Sequence, residues 1–100
     1  ISAKNTTIGN DAFYGCSKLE NVLILGSVDS IGEHSFSWCS SLKRIAVSEG
    51  TTSIGDLAFY NCTSLLTINV DAKESDITLG DKWYPTQNGL AIKDLKINWK

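Results

Sequence analysis

The sequence predicts an α/β repeat solenoid. It has about three regular 23-residue coils, each a short parallel strand plus a short helical turn, and a divergent C-terminal capping repeat. Three observations predict it. The pattern Ile-Gly-x-x-Ala-Phe-x-x-Cys-x-x-Leu starts at Ile8, Ile31 and Ile54, with Ser35 replacing Ala in the second copy. A unit this short cannot bury its own apolar face and must stack on copies of itself. A fourth unit then departs from the pattern, as the end of a stack requires if its outer face is to meet water.

Each element follows from its column. Gly9, Gly32 and Gly55 recur where the chain leaves the previous coil, which implies positive φ or close backbone packing between coils. Ala12, Phe13, Cys16 and Leu19 are three or four residues apart, as are their counterparts in the next two coils, and this spacing predicts one or two helical turns. Ser17, Ser40 and Thr63 mark the bend into the strand. Val22-x-Ile24, Ile45-x-Val47 and Ile68-x-Val70 alternate with period two and are β-branched, so they read as strands. Strands of successive coils should pair in parallel, about 4.8 Å apart. The core is expected to comprise the Ile, Phe, Cys, Leu and Val/Ile columns, with Phe36 of the central coil fully buried.

One domain spans residues 1–100: residues 1–7 end a preceding repeat, 8–30, 31–53 and 54–76 are the regular repeats, and 77–100 are the divergent one. Ile1 falls in the column of Ile24, so the chain reads as a piece of a longer array. In the last unit Ile77 is aligned with Ile54. Ile92-x-x-Leu95-x-Ile97 is aligned with Leu65-x-x-Ile68-x-Val70 at a spacing of 27, which places about four inserted residues between Gly80 and Gly89. Trp83 and Tyr84 are candidates to cover the open end of the core, and Asn88-Gly89 is a turn signal. Lys93, Asp94, Lys96, Asn98 and Lys100 give the last strand a polar character suited to an exposed edge.

Leu19-x-x-Val22-x-Ile24 and its two counterparts resemble the strand segment of leucine-rich repeats. The Asn or Cys that follows in that class is replaced by Ser27, Gly50 and Lys73. The full 23-residue unit is more similar to the BspA-like subfamily of bacterial and protozoan surface proteins, over Ile8 to about Val70, and Ser27-Val28 matches its linker. The proline of that subfamily is replaced by Leu25, Ser48 and Asp71. The resemblance implies a non-enzymatic interaction or adhesion module of a secreted or cell-surface protein. Its partners would be extracellular-matrix proteins, other cell-surface proteins or glycans. The alternative is a structural spacer with no ligand of its own.

The rest of the sequence narrows the chemistry. Nine Lys and Arg against 11 Asp and Glu give a net charge of −2 and no basic stripe, which argues against nucleic acid. No apolar run is long enough for membrane insertion. No catalytic residue, metal site or cofactor is expected: there is no phosphate-binding glycine loop and no Cys-x-x-Cys spacing. His34, the one histidine, reads as a surface residue without a nucleophile in register. Asp71, Glu74, Asp76 and Asp81 read as a solvated loop and lack calcium-loop spacing. The sequons at Asn5 and Asn61 read as chance matches. Cys16, Cys39 and Cys62 share one column and read as small buried hydrophobes. An inter-coil disulfide is allowed by Cα distance but needs the side chains turned toward each other. The candidate interaction surface is the outward strand face: Asn21, Leu23, Arg44, Ala46, Thr67 and Asn69. Tyr14, Trp38 and Tyr60, flanking the Phe column, read first as partial coverings of the convex side and second as a candidate surface.

Overall fold

The computed structural model describes residues 2–87, 90–92 and 94–100. Among these, ten strands follow in chain order: β1 (Ser2–Ile8), β2 (Asn21–Leu23), β3 (Leu25–Ile31), β4 (Arg44–Val47), β5 (Ser53–Ile54), β6 (Thr67–Val70), β7 (Thr78–Leu79), β8 (Thr86–Gln87), β9 (Leu90–Ala91) and β10 (Lys96–Asn98). One parallel sheet runs β1-β3-β5-β7 and a second runs β10-β6-β4-β2, while β8 and β9 form an antiparallel pair. Between the regular coils the 23-residue register holds in both parallel sheets, apart from an irregularity between Lys4 and Thr7 of β1: Ile8 pairs with Ile31 and Ile31 with Ile54, and Val22 pairs with Ile45 and Ile45 with Ile68. The second sheet is the one its period-two pattern predicts. The sheet through Ile8, Ile31 and Ile54 was not expected, because a single apolar residue before glycine shows no alternation.

No α-helix occurs among the described residues, which corrects the expected helical turn. The third side of each coil is a run of β-turns. Ala12 N–H donates to Gly9 O, Tyr14 to Asp11 O and Cys16 to Phe13 O. The intervening N–H groups reach the next coil instead: Phe13 donates to Ser35 O and Gly15 to Ser37 O, both at 2.8 Å. The spacing of three to four residues that suggests a helix serves successive turns equally well. A helix about 10 Å across would spread neighbouring coils apart on that side, whereas this ladder keeps the strand rise of about 4.8 Å on every side.

The turns need left-handed residues at the third position, as in type II turns. Asp11, His34 and Leu57 supply one column (φ 60°, 55° and 54°), and Gly15, Trp38 and Asn61 supply the next (φ 73°, 63° and 59°).

The core is a stack of like residues. Phe36, Phe59, Cys39, Cys62, Leu42, Leu65 and Ile68 are fully buried. Phe13 stacks on Phe36 at 5.2 Å and Phe36 on Phe59 at 5.6 Å, with planes within 11°. In the first coil Phe13, Cys16 and Leu19 are only half-buried, so the core is more open at that end.

The last unit lies in a different register from the one the sequence suggests. Leu79, not Ile77, pairs with Ile54, and Gly80 packs on Gly55 and Asp56 as Gly55 packs on Gly32 and Glu33. Ile97 pairs with Ile68, which brings Trp99 rather than Ile97 to the level of Val70. The extra residues are therefore divided: some precede β7 and the rest lie between β8 and β10. Ile77 is itself buried, and this gives the misleading match to its column. Trp83 and Tyr84 do cover the end of the stack. The Trp83 ring stands 6.4 Å from Phe59 and 6.2 Å from Tyr84. Trp99, which no repeat column marks, completes the lid at 5.8 Å from Trp83. Lys96 and Asn98 point outward on β10, the edge of its sheet. Ile1, Asn88, Gly89 and Lys93 lie outside the described residues.

One position in the core departs from its column at a cost. The Ser35 hydroxyl is fully buried with no hydrogen-bond partner among the described residues, where the next coil carries Ala58. An unsatisfied buried hydroxyl costs about 1–3 kcal/mol. Ser35→Ala is therefore expected to stabilise the protein by about 1 kcal/mol, raising the melting temperature by roughly 4–8 °C for a domain of this size. A lower melting temperature would show that the hydroxyl is satisfied.

Candidate functional site

The outward positions of β2, β4, β6 and β10 stand in two straight rows, because the parallel register repeats without slippage. Asn21, Arg44, Thr67 and Lys96 form one row, and Leu23, Ala46, Asn69 and Asn98 the other. All six residues proposed for this face are thus brought together on one sheet. Asn21, Leu23, Arg44 and Asn69 are exposed, while Ala46 and Thr67 are half-buried between taller neighbours. Asn98 Nδ2 donates to Asn69 Oδ1 at 2.8 Å, an amide pair that continues the row across coils. The flanking Lys43–Glu20 ion pair, at 3.3 Å between exposed side chains, contributes little to stability.

The turn side carries a second assembly. Tyr14, Ser37 and Tyr60 occupy one column, and the small Ser37 leaves a gap between the two tyrosines. His34 fills it, its ring 6.2 Å from Tyr14 and 6.5 Å from Tyr60. Trp38 extends the cluster, 5.9 Å from Tyr60. Tyr14 and Trp38 are 51% and 45% exposed, so both present large faces to solvent.

His34 is therefore not an isolated surface residue. Its Nδ1 lies 2.9 Å from Ser37 Oγ. The Ser37 hydroxyl donates its proton to Leu57 O at 2.7 Å, so it accepts from His34 Nδ1–H. This fixes Nδ1 as a proton-bearing nitrogen and holds the ring in place. A histidine beside a serine is the geometry of an activated nucleophile. Here the serine is fully buried and its proton is committed elsewhere, so the pair positions the imidazole rather than activating the hydroxyl. The three-residue spacing of His34 and Ser37 was the one available signal for this contact.

The three cysteines are free thiols in one column. Cys39 Sγ–H donates to Phe13 O at 3.2 Å and Cys62 Sγ–H to Phe36 O at 2.9 Å, so each thiol ties its coil to the one before. The neighbouring Cys39 thiol, together with burial, pushes the Cys62 thiol far above its ordinary range. Cys62 is correspondingly inert. Cys16, in the first coil, is half-buried.

The acidic stretch is spread out by the fold. Asp71 faces Lys100 at 3.6 Å, and both line a groove of about 320 Å³ with Glu49, Asp76 and Lys73. Carboxylates and ammonium groups offset one another there. Asp81 lies apart, in the turn over Asp56, whose Oδ1 accepts its N–H at 2.8 Å. No helix among the described residues is long and apolar enough to cross a membrane.

A family described as the BspA type leucine rich repeat region (6 copies) matches residues 1–85. The chain belongs to this family. The match ends within the C-terminal unit, whose register is displaced from the regular coils. Repeats of this BspA-type leucine-rich class generally mediate protein interactions. No curated protein and no solved structure matches the chain.

Proposed function

We propose that this BspA-type solenoid is a non-enzymatic interaction module of a secreted or cell-surface protein, serving in adhesion to host or microbial surface proteins or glycans. The observation that carries the reading is the outward sheet face. Two straight rows of side chains, including Asn21, Arg44 and Asn69, stand on a rigid stack and are not used by the core. Core columns are dictated by stacking, so only outward positions are free to encode a partner. A sheet face of this length offers less than the roughly 800 Å² per side of a standard interface, so one chain binds weakly and gains by multivalent display. Support for a surface location comes from the family, whose members are typically surface-associated.

The test is a titration of the folded protein against purified matrix proteins and mucin-type glycans. Arg44→Glu is expected to reduce affinity for any partner so found by about tenfold or more, the scale of an arginine hot spot, with an unchanged melting temperature. Equal affinity in Arg44→Glu and Asn69→Lys would remove the sheet face as the site.

A further inference from the structure

The turn side bears a combination that the core does not need: four aromatic rings in contact, two of them half-exposed, beside a line of carboxylates. Asp11, Glu33, Asp56 and Asp81 are all exposed, the last three at matching positions of successive coils. Lys82, also exposed, follows Asp81 at the C-terminal end of this line. The Trp38 indole N–H and the Tyr14 and Tyr60 hydroxyls have no hydrogen-bond partner among the described residues.

The spacing of the rings is informative. Tyr14 and Tyr60 share a column two coils apart, about 9.6 Å at the usual strand separation. A polyproline II helix repeats every three residues, about 9.3 Å. A chain in that conformation, running along the solenoid axis, would set every third residue over Tyr14 and then Tyr60. It has no internal hydrogen bonds, so its carbonyls are available to donors such as the Trp38 indole N–H. The adjacent carboxylates call for positive charge on the same ligand, and the exposed rings add cation–π attraction for arginine or lysine.

We propose that the strip of Tyr14, His34, Trp38 and Tyr60, with the neighbouring carboxylates, binds a basic, proline-rich protein segment in the polyproline II conformation. This rests on the reading of the module as a protein-binding one, but places a specific ligand class on a different face. His34 acts as the floor of the strip. Held by Ser37, it keeps the two tyrosines apart at the ligand's repeat.

The probe is a synthetic peptide of four Pro-Pro-Arg triplets, titrated by isothermal calorimetry. Comparison ligands are a Gly-Ser-Arg peptide of equal charge and a neutral β-linked glucose hexamer. The Pro-Pro-Arg peptide is expected to bind at least about tenfold more tightly than the Gly-Ser-Arg peptide. Trp38→Ala and Tyr14→Ala should each weaken it about tenfold or more, as loss of an aromatic anchor does. The double variant Asp11→Asn, Glu33→Gln should weaken it and flatten its salt dependence. Arg44→Glu should leave it unchanged. Circular dichroism of each variant confirms that it folds. Equal binding of the two peptides would mean simple charge attraction and would overturn the proposal. Binding of the hexamer alone would make the strip a glycan site and overturn it as well. Failure of the peptide to bind, while Arg44→Glu still weakens a matrix-protein interaction, would sink this inference and leave the proposed function standing.

Discussion

Phe36→Ala is expected to destabilise the protein by about 3–5 kcal/mol, the usual range for deleting a core aromatic. The whole stability of a domain this size is about 5–15 kcal/mol, so the loss removes between about a fifth and all of it. Phe36 is fully buried and is the middle ring of the stack, 5.2 Å from Phe13 and 5.6 Å from Phe59. Removing it leaves a gap that neither neighbour can close, because each ring is fixed by its own coil and the coil spacing is set by backbone ladders on three sides. Phe13→Ala, at the more open end of the stack, should cost clearly less. The measurement is thermal or urea unfolding of both variants. Equal losses would contradict a stack that is sealed in the middle and open at one end.

The division between what the sequence discloses and what it conceals has a physical origin. Residues that must touch their own counterparts repeat at fixed spacing, and so the Phe, Cys and Leu columns, the sheet through Val22, Ile45 and Ile68 and the Trp83–Tyr84 lid are all legible. Spacing alone does not distinguish a helical turn from a run of β-turns, because both bring residues three or four apart to one side. The left-handed residues are the missing clue. In one column they are Asp11, His34 and Leu57 and in the next Gly15, Trp38 and Asn61, a mixture too varied to signal a shared conformation. The lid is only half legible because Trp99 reaches it only through the register set by Ile97 and Ile68, which two separate insertions obscure. For the candidate site, alternation was enough to place Asn21, Leu23, Arg44, Ala46, Thr67 and Asn69 on one face. The aromatic strip needed more. His34 joins Tyr14 to Tyr60 only because Ser37 is small at the position between them, a relation across three coils that no local pattern displays.

Gly55→Ala is expected to be severely destabilising, while Gly9→Ala is tolerated, although the two glycines hold the same place in the repeat. Of the two reasons that a recurrent glycine suggests, the structure selects close packing. Neither Gly9 nor Gly55 is among the residues with positive φ. A Cβ on Gly55 would lie 2.6 Å from the Glu33 backbone nitrogen and 2.8 Å from the Gly32 carbonyl carbon. Both atoms belong to backbone, so no side chain can rotate away, and relief requires the coils to separate. That separation would stretch the ladder bonds on either side, Gly55 N–H to Ile31 O at 2.7 Å and His34 N–H to Asp56 O at 3.1 Å. Overpacking a well-filled interior costs about 1–3 kcal/mol and more where backbone must move, so a loss of about 3 kcal/mol or greater is expected. At Gly9 an added Cβ meets nothing within 4 Å among the described residues. Gly9→Ala should therefore shift the unfolding midpoint little, within the roughly 0.5 kcal/mol typical of surface substitutions. Chemical denaturation of the two variants side by side is the check. A Gly55→Ala protein as stable as wild type would mean that coils in solution sit farther apart than 4.8 Å at this corner, and the one-to-one rise of strand and turn ladders would have to be given up.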